Sequence, residues 1–199
     1  GLLMGATLGM FPVHGRVGAL FLVVLGVVLT GCFHLDGLAD VADALCARKD
    51  REGRLAVMKD PRVGAAGAAA ICLALLLRWE CLAGMQGRDL LKALLLVPVM
   101  GRSTMVLALR LLPAAKPDGL AALWGPAPRF ATLLSLLMMG VMPVLFLGPG
   151  PGLRVCFVSL LALFSLLWIA SKAFGGLTGD VCGAAGELAE LAALFLMRT

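Results

Sequence analysis

Residues 33–45 read FHLDGLADVADAL, and this stretch decides the fold and function predicted for the rest of the chain. Its three aspartates, Asp36, Asp40 and Asp43, are spaced i, i+4 and i+7. On a helix of 3.6 residues per turn they lie within about 60° of one another, and apolar side chains occupy the opposite face. The pattern therefore predicts an amphipathic helix with three carboxylates on one face.

Three neighbouring carboxylates repel one another, and in a low-dielectric setting they raise each other's pKa unless a cation lies between them. Mg²⁺ is usually held by a few carboxylates together with substrate phosphates. The stretch therefore predicts a Mg²⁺ site formed by these aspartates. A solvated acidic face at a helix end is the alternative.

The composition of the chain around this stretch is that of a membrane protein. The chain has 199 residues, of which 61% are hydrophobic and 15% charged, and its mean hydropathy is +1.00. A soluble domain is about half apolar and about a quarter charged. We therefore expect one all-α, polytopic integral membrane domain over residues 1–199, with about six to seven transmembrane helices. The predicted spans are 1–11, 17–33, 63–77, 94–112, 130–147, 154–174 and 191–197. Because the chain begins inside the first of them, we expect that span to be incomplete and the bundle to be N-terminally truncated.

Other classes of function are excluded by composition. Basic residues do not alternate with aromatic ones and tyrosine is absent, so there is no case for nucleic-acid binding. The six cysteines include no CxxC pair and lie largely within apolar runs, which is typical of small core residues and not of a zinc site or a disulfide framework.

A second acidic stripe follows the last long span. Asp180, Glu187 and Glu190 are spaced i, i+7 and i+10, within about 80° on one helix. Counting spans places both stripes and the basic stretch 48–62 on one side of the membrane, and the excess of Lys and Arg there predicts the cytoplasmic side. Within that stretch, Asp60 followed by proline predicts a capped helix start.

Acidic stripes together with basic residues suit a phosphoanhydride substrate, because the metal bridges phosphate oxygens while Arg and Lys neutralise the remaining charge. Arg102 is a charge at membrane depth, a position that often marks function. The glycine-rich loop 175–179 would let backbone N–H groups approach a phosphate, although a purely structural role is open. His34 is either a general base, a hydrogen-bond donor or a simple polar anchor. The candidate substrate-binding residues are Arg48, Lys59, Arg62, Arg102, Thr178 and Gly179.

Three blocks of the sequence resemble the cobalamin synthase family, also called adenosylcobinamide-GDP ribazoletransferases. HLDGLADVAD at 34–43 resembles the family's H-x-D-G-L-A-D-x-x-D motif. MKDPRVGAAG at 58–67 is similar to M-[KR]-D-x-R-x-G-x-x-G. GLTGDVCGA at 176–184, with the acids at 187 and 190, resembles the C-terminal G-x-T-G-D-x-x-G-A…E-x-x-E. The blocks also occur in the family's order and cover essentially the whole chain.

The resemblance implies a Mg²⁺-dependent enzyme of the bacterial inner membrane, and the excess of Lys and Arg predicts that its active site faces the cytoplasm. Such an enzyme joins adenosylcobinamide-GDP to α-ribazole or its 5′-phosphate and releases GMP. A ribose hydroxyl attacks the phosphorus nearer the cobinamide. Whether the ribazole is phosphorylated, which lower bases are accepted and whether the chain forms a homo-oligomer stay open.

The resemblance also implies roles for individual residues. The aspartates of 33–45 carry the metal, and the second acidic stripe completes that site or holds another ion. Basic side chains contact the pyrophosphate. The implied metal ligands are Asp36, Asp40, Asp43, Asp180, Glu187 and Glu190, and the implied pyrophosphate contacts are Lys59, Arg62 and Arg102; His34 joins the first three aspartates as a catalytic candidate.

Two other classes of protein use acidic residues at a membrane. Mg²⁺-dependent transferases that act on a lipid diphosphate or a CDP-alcohol also have Asp-rich helices, but with different spacing and flanking residues. A cation transporter would carry its charges near mid-span, whereas here only Arg102 is predicted to lie deep.

Overall fold

The computed structural model describes residues 15–198, and all regular structure within that range is helical. An isolated backbone bridge joins Ala114 to Leu177. The prediction of an all-α fold is therefore confirmed. The helices, numbered along the chain, are α1 Gly15–Thr30, α2 Phe33–Cys46, α3 Arg51–Val57, α4 Ala65–Ala83, α5 Gly87–Leu111, α6 Leu120–Trp124, α7 Arg129–Leu147, α8 Pro149–Phe174 and α9 Gly179–Arg198.

Four of these helices, α4, α5, α7 and α8, are long and apolar enough to cross a membrane, and α1 with α2 counts as a fifth if the bent pair is one span. The outer faces of α7 and α8 expose large apolar side chains such as Leu133, Leu145 and Trp168, which suits contact with lipid. The chain is a multi-pass membrane protein. The sequence predicted more spans because it counted 1–11, which lies outside the described residues, and 191–197, which is the end of the charged helix α9.

A sharp elbow separates the apolar helix α1 from the acidic helix α2. The two axes differ by 87°, and the turn is made by Gly31 at φ +58° and Cys32 at φ +63°. The left-handed region is easily reached by glycine and uncommon for any other residue. The elbow brings α2 across the bundle and against α4 and α9.

Helix α9 lies at the centre of the bundle, where it packs against α2, α4, α5 and α8. Small residues allow these close approaches. A Cβ atom on Gly37 would lie 2.7 Å from the backbone oxygen of Asp180, and one on Gly186 would lie 2.9 Å from the side chain of Met105. Close packing through small residues is typical of helices within membranes. It places the acidic N-terminus of α9 directly beside α2.

The predicted helix start at Asp60 is wrong. Helix α4 begins at Ala65, and Asp43 of α2 accepts hydrogen bonds from the backbone N–H groups of Gly64 (2.7 Å) and Gly67 (2.8 Å). Asp60 instead accepts hydrogen bonds from Arg62. The free N–H groups at a helix start need an acceptor, and here a neighbouring helix supplies it, which local sequence does not reveal.

Candidate active site

The three aspartates of α2 lie on one face of that helix, as predicted. Asp36 is exposed, and Asp40 and Asp43 are half-buried. The packing of α9 against Gly37 adds Asp180, and the carboxylate of Asp40 is repelled by those of the other three. We call Asp36, Asp40, Asp43 and Asp180 the acidic cluster.

The acidic cluster carries net negative charge. Within residues 15–198, no Lys or Arg side chain forms an ion pair with any of its four carboxylates. Unpaired oxygen ligands of this kind are those that Mg²⁺ prefers. In the same part of the chain, no three Asp, Glu, His or Cys side chains converge closely enough to enclose an ion by themselves. Mg²⁺ commonly keeps water molecules and takes only one or two carboxylates plus substrate phosphates, so the donor set fits an ion that the substrate helps to bind.

Asp43 differs from the other members of the cluster because both of its oxygens already accept a backbone N–H at the start of α4. Its carboxylate therefore fixes α4 against α2. A carboxylate oxygen has a second lone pair, so the predicted role of Asp43 in binding metal is compatible with this capping role and stays a prediction.

Glu187 and Glu190 lie away from the acidic cluster, in a buried group of ion pairs. The Nη2 atom of Arg78 lies 2.5 Å from Oε1 of Glu187 and 3.0 Å from Oε2 of Glu190. Arg102 donates a hydrogen bond to the other oxygen of Glu190. Both glutamates are 4% exposed. We call Arg78, Arg102, Glu187 and Glu190 the ion-pair cluster; their formal charges balance, and metal binding by the glutamates stays a prediction.

Sequence reasoning missed Arg78. The predicted span 63–77 ended immediately before it, whereas α4 continues to Ala83 and buries most of the Arg78 side chain. The expectation that only Arg102 lies deep is therefore wrong. The sequence feature that could have indicated a buried arginine is the pair of glutamates on α9, because two buried carboxylates require basic partners.

His34 lies on the other face of α2 from the aspartates, since a spacing of two residues separates it from Asp36 by about 160°. It lines a cavity of about 200 Å³ together with the ion-pair cluster and apolar side chains of α1, α4, α5 and α9. The structure therefore associates His34 with the ion-pair cluster and not with the carboxylates beside it in sequence.

The basic stretch after α2 is at the surface. Arg48, Lys59 and Arg62 are all exposed. Hydrogen bonds from the Arg62 guanidinium lower the pKa of Asp60 to about 2. These three side chains make no contact that assigns them to a phosphate, so their binding roles stay predictions.

Arg51, which the sequence did not single out, has a defined position. Its Nε donates to the backbone oxygen of Phe174 at 2.8 Å, and its Nη2 donates to that of Ala115 at 2.9 Å. A cation at the last carbonyls of a helix is favourable. Arg51 therefore joins α3 to the end of α8 and to the loop before α6.

The loop 175–179 is fixed by backbone contacts. Leu177 donates its N–H to Pro113 and accepts one from Ala115, both at 2.8 Å. A Cβ atom on Gly176 would lie 2.6 Å from the oxygen of Pro113. The hydroxyl of Thr178 accepts the N–H of Val181 at 3.1 Å and caps α9. These contacts give Gly176 and Thr178 structural roles, while phosphate binding by Thr178 and Gly179 stays a prediction.

Comparison with known proteins gives a consistent result over the whole chain. The family model for cobalamin-5-phosphate synthase matches residues 1–198. An adenosylcobinamide-GDP ribazoletransferase of Mesorhizobium japonicum is 36% identical over 98% of this chain and 76% of its own length. A protein with the same name from Azorhizobium caulinodans is 37% identical over 91% of this chain and 70% of its own length. Another from Geotalea daltonii is 40% identical over 91% of this chain and 73% of its own length. No solved structure matches the chain.

Proposed function

This chain belongs to the cobalamin-5-phosphate synthase family, and we propose that it joins adenosylcobinamide-GDP to α-ribazole or its 5′-phosphate with release of GMP. The names of its relatives support this transferase over a lipid-diphosphate transferase or a cation transporter. The observation that carries the proposal is the acidic cluster, four carboxylates with no basic partner among residues 15–198, within a multi-pass membrane bundle.

In the proposed reaction, a ribose hydroxyl oxygen bonds to the phosphorus nearer the cobinamide. The bond between that phosphorus and the bridging oxygen breaks, and GMP leaves with the bridging oxygen and its electron pair. The hydroxyl proton passes to a carboxylate of the acidic cluster or to water. His34 is less suited to accept it, because it lies on the opposite face of α2. The products are adenosylcobalamin, or its 5′-phosphate, and GMP.

Asp36, Asp40 and Asp180 are the carboxylates we propose as Mg²⁺ ligands, because no Lys or Arg of residues 15–198 forms an ion pair with them and, unlike Asp43, they do not cap α4. When bound, Mg²⁺ would neutralise charge on the pyrophosphate and on the leaving GMP. Asp43 would keep the ligand helix in register with α4. Lys59, Arg62 and Arg102 are the proposed pyrophosphate contacts, of which Arg102 is held in orientation by Glu190.

We propose that the acidic cluster faces the cytoplasm of a bacterial inner membrane. If α4, α5, α7 and α8 each cross the membrane once, successive helix ends alternate between its two sides. The side that holds the acidic cluster then also holds the ends of α2, α5 and α8 and the start of α7. Basic residues gather on that side, which supports the cytoplasmic assignment. They are Arg48, Lys49, Arg51, Arg54, Lys59, Arg62, Arg110, Lys116, Arg129 and Lys172.

A turnover assay tests the proposed function. Detergent-purified protein receives adenosylcobinamide-GDP and α-ribazole, with Mg²⁺ or with a chelator, and GMP and the corrinoid product are measured. Asp40→Asn is compared with Asp89→Asn, the same change at an exposed residue near the start of α5. We expect Mg²⁺-dependent GMP release from wild type and Asp89→Asn but not from Asp40→Asn. A folded, Mg²⁺-replete wild type that releases no GMP would contradict the proposal.

A further inference from the structure

The cavity beside the ion-pair cluster has two chemically distinct ends. One end is polar and is lined by His34, Thr30 and the ion-pair cluster. The other end is apolar and is lined by side chains of α1, α4, α5 and α9, among them Leu22, Leu82 and Leu94. The cavity is therefore amphipathic along its length.

The polar end has donors and acceptors but little net charge. Arg78 and Arg102 are balanced by Glu187 and Glu190, to which they are already bonded. Arg102 is still 46% exposed and uses one terminal nitrogen on Glu190, so its planar fork keeps donors for a ligand. Balanced charge of this kind suits the hydroxyl groups of a sugar, while the free donors of Arg102 remain available to the pyrophosphate proposed above.

The volume limits the ligand to a small ring system. An engineered apolar cavity of about 150 Å³ binds benzene, and this cavity measures about 200 Å³. A corrin ring is far too large for it. A guanine base would bring several polar edge groups against the apolar end, where they would be left without partners at a free-energy cost.

The orientation of the cavity relates it to the acidic cluster. Both lie along α9, where Asp180 is followed by Glu187, Glu190 and then by Leu194 at the apolar end. Seven residues of helix separate Asp180 from Glu187 by about 10 Å. A ligand whose ring occupies the apolar end therefore directs its polar part toward the acidic cluster.

We propose that this cavity binds the apolar aromatic base of the nucleoside substrate, with its ribose passing the ion-pair cluster toward the acidic cluster, where the attacking hydroxyl group reacts; this inference rests on the proposed function. The bicyclic base of a ribazole has no polar edge except a single ring nitrogen, and it is joined to a sugar rich in hydroxyl groups. That combination matches the two ends of the cavity. Ala93, Leu94 and Val97 of α5 are then residues that determine the accepted base.

The test fills the apolar end. Ala93 is 1% exposed and lines the cavity, so Ala93→Phe would occupy the space of the base. The matched control is Ala69→Phe on the exposed face of α4. We expect the KM for α-ribazole to rise about tenfold or more in Ala93→Phe only, because small changes in an apolar pocket have effects of about that size. The KM for adenosylcobinamide-GDP should change less than about twofold.

A second variant works in the opposite direction. Leu94→Ala should raise the KM for α-ribazole and lower the KM for an analogue with a larger ring system. Leu91→Ala, at an exposed position of the same helix, should change neither KM. A folded Ala93→Phe or Leu94→Ala variant with an unchanged KM for α-ribazole would overturn the inference. So would a rise confined to adenosylcobinamide-GDP, which would identify the cavity as part of that substrate's site.

Calorimetric titration with α-ribazole alone separates this inference from the proposed function. If wild type releases no GMP, the proposed function fails, and the titration still decides what the cavity binds. Binding to wild type that is lost in Ala93→Phe and kept in Ala69→Phe supports the inference. Absence of α-ribazole binding to wild type, or equal binding by both variants, overturns it.

Discussion

Two groups of carboxylates share helix α9 and differ in their surroundings. Asp180, at its N-terminus, joins the aspartates of α2 in a group with no basic partner among the described residues, whereas Glu187 and Glu190, two to three turns later, are each bonded to arginine. The charge of the first group has no balancing basic side chain among residues 15–198, and the formal charges of the second group balance. Charge of one sign along a helix therefore does not by itself indicate one site, because the neighbouring helices decide whether each charge is balanced.

The largest expected effect tests the unbalanced group. Asp40→Asn removes one carboxylate from the acidic cluster and should lower turnover roughly 10³-fold or more, since metal coordination supplies several kcal/mol of transition-state stabilisation. Thermal unfolding in detergent should be unchanged or occur at a higher temperature, because repulsion from the other three carboxylates is relieved. Loss of activity together with a large loss of stability would mean that the acidic cluster is a structural feature.

The balanced group should respond in the opposite way. Glu190→Ala leaves Arg78 with Glu187 alone and removes the ion-pair partner of Arg102. Loss of one member of a fully buried ion pair costs about 3–5 kcal/mol of unfolding free energy, which is the upper limit here because Arg78 keeps a partner and Arg102 is half exposed. Reversible unfolding of the purified protein measures it, with Glu80→Ala at an exposed position of α4 as the control. An unfolding free energy equal to that of wild type would contradict the buried ion pairs.

Asp43 belongs to the acidic cluster by position but also has a structural partner, so two substitutions separate its roles. Asp43→Ala removes the acceptor for the N–H groups at the start of α4 and should cost about 0.5–2 kcal/mol of stability. Asp43→Asn keeps one acceptor oxygen but turns its NH₂ group toward the second N–H, so it should recover only part of that stability. If the Asn variant is stable but inactive, the charge of Asp43 is needed for catalysis; equal instability of both variants would contradict the capping role.

The smallest effect is expected at the surface pair of Asp60 and Arg62. The pKa of Asp60 is about 2, below its ordinary value of 3.8, so any stabilisation is present above about pH 4 and is lost as the pH falls toward 2. Because Arg62 is exposed and Asp60 is partly exposed to solvent and salt, Asp60→Asn should leave the unfolding temperature at pH 7 unchanged. A clear decrease at pH 7, absent at high salt, would show that this pair is stronger than its exposure implies.

The sequence predicted the elements that local pattern determines. The apolar runs gave α4, α5, α7 and α8, and the spacing of Asp36, Asp40 and Asp43 gave one acidic face of α2. The motif blocks also led to the family that the comparisons support. Each of these depends on residues close together in the chain, whose period alone sets which face they share.

The remaining features depend on contacts between distant parts of the chain. Asp43 caps a helix that starts more than twenty residues later, and Arg78 pairs with acids more than a hundred residues away. The 87° elbow fixes which face of α2 meets the cavity, so that His34 lies beside the ion-pair cluster, and its catalytic role stays a prediction. Local sequence carries no information about such partners, so the predicted span 63–77 ended at Arg78, although the helix continues to Ala83.

The glycines around α9 have a consequence for how substitutions in this protein are interpreted. Gly37, Gly101 and Gly186 are closely packed. A Cβ atom on Gly37 would lie 2.7 Å from the backbone oxygen of Asp180, and one on Gly101 or Gly186 would come within 3 Å of the side chain of Glu190 or Met105, which would have to move. A mutational scan of activity would therefore rank these three positions beside the aspartates, although they bear no chemical group. A scan of protein abundance is needed beside the scan of catalysis. The two together distinguish residues that take part in the reaction from residues that are needed only for close helix packing.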